Sequence, residues 1–309
     1  VEFPFRDDVF TAVNGVSFDI MPGEIVGVVG ESGAGKSMTG SAVIGLIERP
    51  GRISAGEIRL KGERIDNLPE EQKAKLRGKR IGMVFQDPLT SLNPLYTVGE
   101  QLIETIRTHL PLSEAQARQK AIDLLAEAGI PKAAERINSY PHQFSGGMRQ
   151  RVVIALAIAA EPELIIADEP TSALDVSVQA QIIKVLKKLC SSRGAAVMLI
   201  THDMGVIAQT ADRMVVMHQG KVVETGSVGD IIRRPREPYT IKLINSIPTI
   251  KRQEGQAAPG DAANDDGAYV QVKNIVRDFE IGGGGFLKLL PGKTEVFRAV
   301  NDVSFSIPR

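Results

Sequence analysis

The sequence predicts an α/β fold, a mainly parallel sheet flanked by helices, and three observations carry that expectation. Short apolar runs punctuated by Gly and Pro alternate with longer amphipathic stretches. Each apolar run leads into polar or charged residues, and that carboxyl edge is where an open α/β sheet places its ligands. The stretch between Thr97 and Ala160 reads as almost wholly helical, as a helical subdomain inserted into a sheet domain would.

In chain order, the clearest strands are Ile25 to Val29, Ile81 to Phe85, Leu164 to Ala167 and Ala196 to Ile200. Candidate helices lie near Val98 to Thr108, Ser113 to Ala128 and Gly146 to Ala160. Late strands near Arg213 to His218 and Lys221 to Thr225, separated by Gln219-Gly220, form a hairpin pattern. Lys251 to Ala268 has almost no large apolar residue and is rich in Ala, Gly, Asp, Gln and Asn, the composition of a flexible linker. Gly282 to Gly285 does not fit the phosphate-loop spacing, because the later Gly292-Lys293-Thr294 would need Gly at position 287, where Leu stands, and it reads as a loop. A repeat then follows: Ala12 to Ile20 and Ala299 to Ile307 agree at seven of nine positions. Its sharper reading is a second copy of the same domain, cut off after Arg309 without a phosphate loop and so incapable of catalysis.

With 309 residues the chain has ample length to bury a core, for one large domain with an extension or for two small ones. Lys plus Arg and Asp plus Glu are 37 each, so no overall basic field favours nucleic acid or anionic lipid. The longest clean apolar run, Val152 to Ala160, is about half of the ~18 residues of a membrane span. One cysteine, Cys190, excludes an internal disulfide and a cysteine-based metal site, and no signal peptide opens the sequence; a reducing cytoplasm fits.

Gly30-Glu31-Ser32-Gly33-Ala34-Gly35-Lys36-Ser37 fits the G-x-x-x-x-G-K-[ST] phosphate loop, with a strand before it and a helical stretch after it. Glycines let backbone N–H groups wrap phosphate oxygens, and the helix N-terminus adds a favourable dipole. The expected nucleotide cradle is Gly30, Glu31, Ser32, Gly33, Ala34, Gly35, Lys36, Ser37 and Met38. Lys36 is expected to reach the β and γ phosphates of the nucleotide, and the Ser37 hydroxyl to ligate Mg²⁺. Leu164 to Ala167 then ends in Asp168-Glu169. Adjacent side chains of a strand point apart, so Asp168 can serve Mg²⁺ while Glu169 polarises the attacking water.

A phosphate loop alone also fits kinases, small GTPases and helicases, and the next motif separates them. Phe144-Ser145-Gly146-Gly147-Met148-Arg149-Gln150-Arg151 resembles the signature of ATP-binding cassette (ABC) proteins, with Met148 where Gln is usual. The resemblance implies a P-loop NTPase core of RecA-like type, with an antiparallel β subdomain and an inserted α-helical subdomain. It implies further that Ser145, Gly146 and Gly147 serve the nucleotide held by an opposite cassette. Gln86 resembles the Q-loop glutamine that contacts metal and water, and Asp175, in Ser172-Ala173-Leu174-Asp175, resembles the D-loop. His202, in Thr201-His202-Asp203, resembles the switch histidine at the γ phosphate. Phe3 resembles the aromatic that stacks on adenine, with Phe5 its rival. The implied catalytic set is Glu169, His202, Gln86 and Lys36; the implied metal set is Ser37, Gln86 and Asp168. His109, His142 and His218 have no partner pattern and read as ordinary surface or packing residues.

Asp87-Pro88-Leu89-Thr90-Ser91-Leu92-Asn93-Pro94 and Pro235-Arg236-Glu237-Pro238-Tyr239-Thr240 resemble the ATPases of oligopeptide, dipeptide and nickel importers, and the repeat resembles tandem ATPases of glutathione and other peptide importers. The resemblance implies import of peptides, glutathione or related small peptides among them. It also implies a second cassette in the same full-length chain or a homodimer, transmembrane permease subunits, an indirect substrate-binding protein, no nucleic acid, and a peripheral place on the cytoplasmic face of the inner membrane. A soluble tandem-cassette ATPase acting on ribosomes or DNA is the competing class, and the short flexible linker and neutral charge weigh against it. The expected domains are a cassette at 1–250, a linker at 251–268 and the start of a second cassette at 269–309. Within the first, the helical subdomain occupies about 88–160 and an importer-type extension about 235–250.

Overall fold

The computed structural model describes residues 1–5, 8–171, 176–246, 268–281 and 295–308. The chain divides into two compact units, Val1–Thr249 and Ile250–Arg309. The linker segment 251–267, Gly282 to Gly285 and the segment Ser172 to Asp175 lie outside the described residues.

In the first unit six strands form one sheet: β1 Ile25–Val29, β2 Ile81–Val84, β3 Leu164–Asp168, β4 Ala196–Ile200, β5 Arg213–His218 and β6 Lys221–Ser227. Their spatial order is β6-β5-β1-β4-β3-β2, all parallel except β6, which pairs antiparallel with β5. The strands stand where the apolar runs predict them, with Phe85 just outside its strand and Asp168 just inside. Every residue of β1, β3 and β4 is buried, as a parallel sheet covered on both faces requires.

Alternation along each strand builds two cores. Ile25, Val29, Ile165, Ala167, Val197 and Leu199 join the larger one, which holds Leu102, Ile106, Leu124 and Leu125 from the helical region. Val26, Val28, Leu164, Ile166, Met198 and Ile200 join the smaller one, which holds Ile44 and the partly buried Phe18, Ile20, Ile58 and Leu60. Burying an Ile or Leu side chain fully is worth about 1.5–3 kcal/mol, and these strands gain it on both faces of the sheet.

The helices begin where local chemistry tells them to. Helix α1 spans Lys36–Ile44, α2 Val98–His109, α3 Glu114–Glu127, α4 Gly146–Ile158, α5 Val176–Arg193, α6 Met204–Thr210 and α7 Pro238–Asn245. Thr97 with Glu100, and Ser113 with Gln116, form capping boxes at α2 and α3. β5 turns into β6 through Gln219 and Gly220, both at positive φ (47° and 76°), the backbone of a two-residue hairpin.

Arg80 and Glu163 stand just before β2 and β3. Arg80 Nε donates to Glu163 Oε1 (3.0 Å), and Nη1 donates to Glu63 Oε2 (2.7 Å). The Arg80 guanidinium, aided by Lys61, holds the Glu163 carboxyl below its ordinary value of 4.5 against the opposing effect of burial. A depressed folded pKa means stability that is present above the ordinary carboxylate range and lost as pH falls through the folded value. Glu163→Gln is therefore expected to cost about 1 kcal/mol at pH 7. The cost should shrink well below pH 4.5. Urea unfolding of both proteins across this range measures it; a pH-independent difference would count against the ion pair.

The two copies of the repeat fold differently. In the first, Ala12 to Ile20 lies almost wholly outside regular strands, and Val16, Phe18 and Ile20 pack against the smaller core. In the second unit Ala299 to Ile307 belongs to the strand Glu295–Pro308, paired antiparallel with Ala268–Ile281. There Val303, Phe305 and Ile307, equivalent to Val16, Phe18 and Ile20, are exposed. Gly15 and its counterpart Asp302 share a left-handed backbone, φ 62° and 51°; Gly adopts this freely and Asp tolerates it better than most.

Candidate nucleotide site

β1 ends at Val29 and the chain wraps through Gly30 to Gly35 before α1 opens at Lys36. The wrap needs its glycines: Gly30 has φ 154°, and a Cβ there would collide with the Met217 carbonyl. Gly35 (φ 94°) stands at the N-cap of α1 with no side chain to block the approach of an anion. Ala34 is buried, Met38 half-buried, and Glu31, Ser32 and Gly33 are exposed on the outer face of the loop.

Lys36 is 6% exposed, and its Nζ donates to the carbonyls of Gly30 (2.8 Å) and Glu31 (3.0 Å). Burial pushes its ammonium down from the ordinary value, while Glu169 and Asp168 pull it back up. The lysine is thus folded over its own loop, near two carboxylates that offset part of the effect of burial. Ser37 Oγ donates to Asp168 Oδ1 at 3.0 Å. Burial pushes Asp168 up; the Ser37 hydroxyl and the Lys36 charge act the other way, and Glu169 adds to the rise. A buried carboxylate held above its usual range beside a second carboxylate is stabilised by an added cation. An alcohol and a carboxylate oxygen are the hard donors that Mg²⁺ takes from a protein, with phosphates and water completing its shell, so these residues fit that ion.

Glu169, next to Asp168, adopts φ 44°, a conformation costing on the order of 1–3 kcal/mol for such a residue. Its N–H donates to the Ile200 carbonyl at 2.8 Å, so pairing of β3 with β4 holds it there. The bent backbone aims the carboxylate between two partners: Gln86 Nε2 donates to Oε2 (3.0 Å), and His202 Nδ1 lies 3.0 Å from Oε1. Sheet order explains the convergence. The phosphate loop, His202, Glu169 and Gln86 follow β1, β4, β3 and β2, four neighbouring strands whose carboxyl ends share one edge.

The remaining expected residues stand apart from this cluster or beyond view. Ser145 is exposed and caps α4, accepting from Met148 N at 3.4 Å, with Gly146 and Gly147 in the first turn. A Cβ on Gly147 would strike Val178 of α5. Asp175 lies outside the described residues. Phe3 packs its ring over Gly51 and pairs across its strand with Phe10, whereas Phe5 is 69% exposed. Phe10 is likewise exposed, at 66%, and was not among the aromatics expected from the sequence. His109 packs on Gly78, His142 stacks on Tyr140 and His218 on Tyr239.

Sequence motifs alone leave two supports unseen. Asp203 Oδ1 caps α6 by accepting from Gly205 N (2.7 Å) and Val206 N (3.2 Å), while Gln179 Nε2 bridges Asp203 Oδ2 (3.1 Å) and Thr171 Oγ1 (3.2 Å). That ties the His202 loop to α5 and to the exit of β3. An Asp before a helix is a legible cap; the glutamine bridge has no sequence signal. The other support is Tyr239, whose hydroxyl accepts the Glu31 N–H at 2.9 Å.

A lysine-bearing phosphate loop after one strand, with a carboxylate pair at the end of another strand two places away in the same sheet, defines a P-loop nucleotide hydrolase. The chain belongs to the ABC transporter family: residues 13–172 match that family, and residues 223–268 match the C-terminal region of oligopeptide/dipeptide transporters. It is 46% identical over 258 residues to the dipeptide transport ATP-binding protein DppD of Escherichia coli, covering 84% of this chain and 79% of that one. To the oligopeptide transport ATP-binding protein OppD of Bacillus subtilis it is 49% identical over 253 residues, covering 81% and 71%. The dimeric post-hydrolysis structure of the ATP-binding cassette MJ0796 bound to ADP and Pi superposes with a TM-score of 0.66 at 30% identity, over 74% of this chain and 95% of that one. No described helix is long and apolar enough to cross a membrane.

Proposed function

We propose that this chain hydrolyses ATP to energise uptake of peptides, small peptides such as glutathione among them, through a membrane ABC importer. The observation that carries the chemistry is the convergence of Lys36, Ser37, Gln86, Asp168, Glu169 and His202 on adjoining strand ends. The peptide assignment rests on the oligopeptide/dipeptide C-terminal region and on the relatives.

In this reading the loop Gly30 to Met38 wraps the triphosphate and Lys36 exchanges the loop carbonyls for the β and γ phosphates. Ser37 and Asp168, with Gln86 nearby, would hold Mg²⁺, which would supply countercharge to the phosphates. Glu169 orients the attacking water and accepts its proton as the water oxygen bonds to the γ phosphorus and the bond to the leaving ADP oxygen breaks. Gln86 and His202 keep the Glu169 carboxylate aimed, and His202 turns toward the γ phosphate. Phosphoryl transfer demands mainly such positioning and charge stabilisation. Adenine stacks on an aromatic of the N-terminal hairpin, Phe3 or the more exposed Phe5.

Ser145, Gly146, Gly147 and Asp175 act across a pair of cassettes. The exposure of Ser145 at a helix N-terminus supports this, because such a terminus is an anion site. The second cassette comes from the same full-length chain or from a homodimer, and residues 269–309 begin a second cassette domain. Support for that comes from the repeat, its shared left-handed position and the exposed apolar face of the second copy. Permease subunits, reached on the cytoplasmic face, and indirectly a substrate-binding protein complete the assembly. ATPase activity per molecule is expected to rise with protein concentration until pairing saturates. A specific activity constant over a wide concentration range would refute the shared site, and full-length chain that never co-purifies with permease subunits would refute the importer.

A further inference from the structure

The C-terminal helix α7 touches the phosphate loop directly. Tyr239 Oη accepts the backbone N–H of Glu31 at 2.9 Å, and Lys242 Nζ lies 3.4 Å from Glu31 Oε1. The Tyr239 ring lies against His218 at the end of β5, centroids 3.9 Å apart and planes tilted 30°. The same hairpin end meets the loop again, where Gly220 N donates to the Ala34 carbonyl at 3.1 Å. The helix itself is anchored from β6, where the Glu224 carboxylate accepts the N–H groups of Arg236 (3.0 Å) and Glu237 (3.2 Å) just before its first turn. That carboxylate does for α7 what its own Glu237 N-cap does not.

Glu31 is therefore a junction. Its carbonyl accepts from Lys36, its N–H donates to Tyr239, and its carboxylate faces Lys242. The Lys242 pair is exposed on both sides and adds little by itself. The Tyr239 bond fixes the orientation of the peptide unit that enters the loop, one residue after Gly30. When Lys36 leaves the Gly30 carbonyl, which shares one peptide unit with the Glu31 N–H, for a phosphate, the orientation of that peptide rests on Tyr239, itself packed on His218 of the hairpin. We infer that Tyr239 is a positioning residue for ATP, a latch by which the C-terminal helix holds the phosphate loop ready and is itself held more tightly when nucleotide is bound. The second half follows from the first, since a contact that favours ATP binding must be favoured by ATP to the same factor.

The inference rests on ATP binding in this loop, and the test separates the two. In the 309-residue chain, Mg·ATP affinity is measured by calorimetry and kcat at saturating ATP for wild type and Tyr239→Phe, which keeps the ring on His218 and removes the hydroxyl. Amide exchange of residues 238–245 is followed with and without Mg·ATP. Loss of one such hydrogen bond is expected to weaken ATP binding about three- to tenfold with kcat nearly unchanged, and wild-type α7 should exchange more slowly when ATP is present. An unchanged Kd in the variant, or ATP-independent exchange of wild-type α7, overturns the latch while leaving the ATPase reading intact. A variant that loses thermal stability equally with and without ATP and keeps its Kd marks a merely structural tyrosine. Wild type that fails to bind ATP removes both readings. The exchange measurement needs no variant, so it decides the matter even if Tyr239→Phe folds poorly.

Discussion

Glu169→Gln is expected to lower the rate of ATP hydrolysis by about 10²- to 10³-fold while leaving ATP bound. The substitution keeps the shape of the side chain and its strained φ of 44°, which the Ile200 carbonyl holds from β4. It removes the negative charge that Gln86 and His202 aim from either side. A carboxamide cannot polarise a water as a carboxylate does, yet the loop, Lys36 and Ser37 remain to hold the triphosphate. ATP should therefore accumulate in a paired, unhydrolysed state. Phosphate release and retention of labelled ATP in the full transporter measure the two halves of the prediction. Hydrolysis at the wild-type rate would exclude Glu169 as the residue that activates water.

Lys36→Ala is expected to weaken ATP binding by about 100-fold or more, enough to abolish saturable binding at ordinary concentrations. Lys36 is the buried cation at the phosphate cradle, and it reaches the Gly30 and Glu31 carbonyls with no other side chain between. Removing it leaves Asp168 and Glu169 facing a triphosphate of the same sign. It also removes the charge that draws the raised Asp168 carboxyl back toward its ordinary value. Calorimetric titration with Mg·ATP measures the loss, and wild-type affinity in the variant would sink the cradle assignment. The contrast between the two variants, binding lost in one and turnover lost in the other, separates positioning of phosphate from activation of water.

Much of the fold was legible because its signals are local. Buried parallel strands are short apolar runs, and β1, β3 and β4 read that way from their residues alone. Thr97 with Glu100 and Ser113 with Gln116 announce helix starts three residues apart. The repeat shows the limit of such reading. The same Val-x-Phe-x-Ile pattern is partly buried outside a regular strand at Val16, Phe18 and Ile20, and exposed on a strand at Val303, Phe305 and Ile307. An amphipathic run specifies which side chains share a face, but its burial depends on what else is present to cover that face.

By itself the sequence determined which chemistry the protein carries. The glycines, Lys36 and Ser37 lie within one short loop, and Asp168-Glu169 closes one apolar strand, so a few neighbouring residues are enough to bring each group into view. Tertiary structure alone decided who meets whom. The order β1-β4-β3-β2 brings Gln86, Glu169 and His202 to one edge, and the path of the chain after β6 lays Tyr239 on Glu31 across a separation of 208 residues. Strand order and helix docking come from the summed burial of two cores, a quantity that no stretch of neighbouring residues encodes.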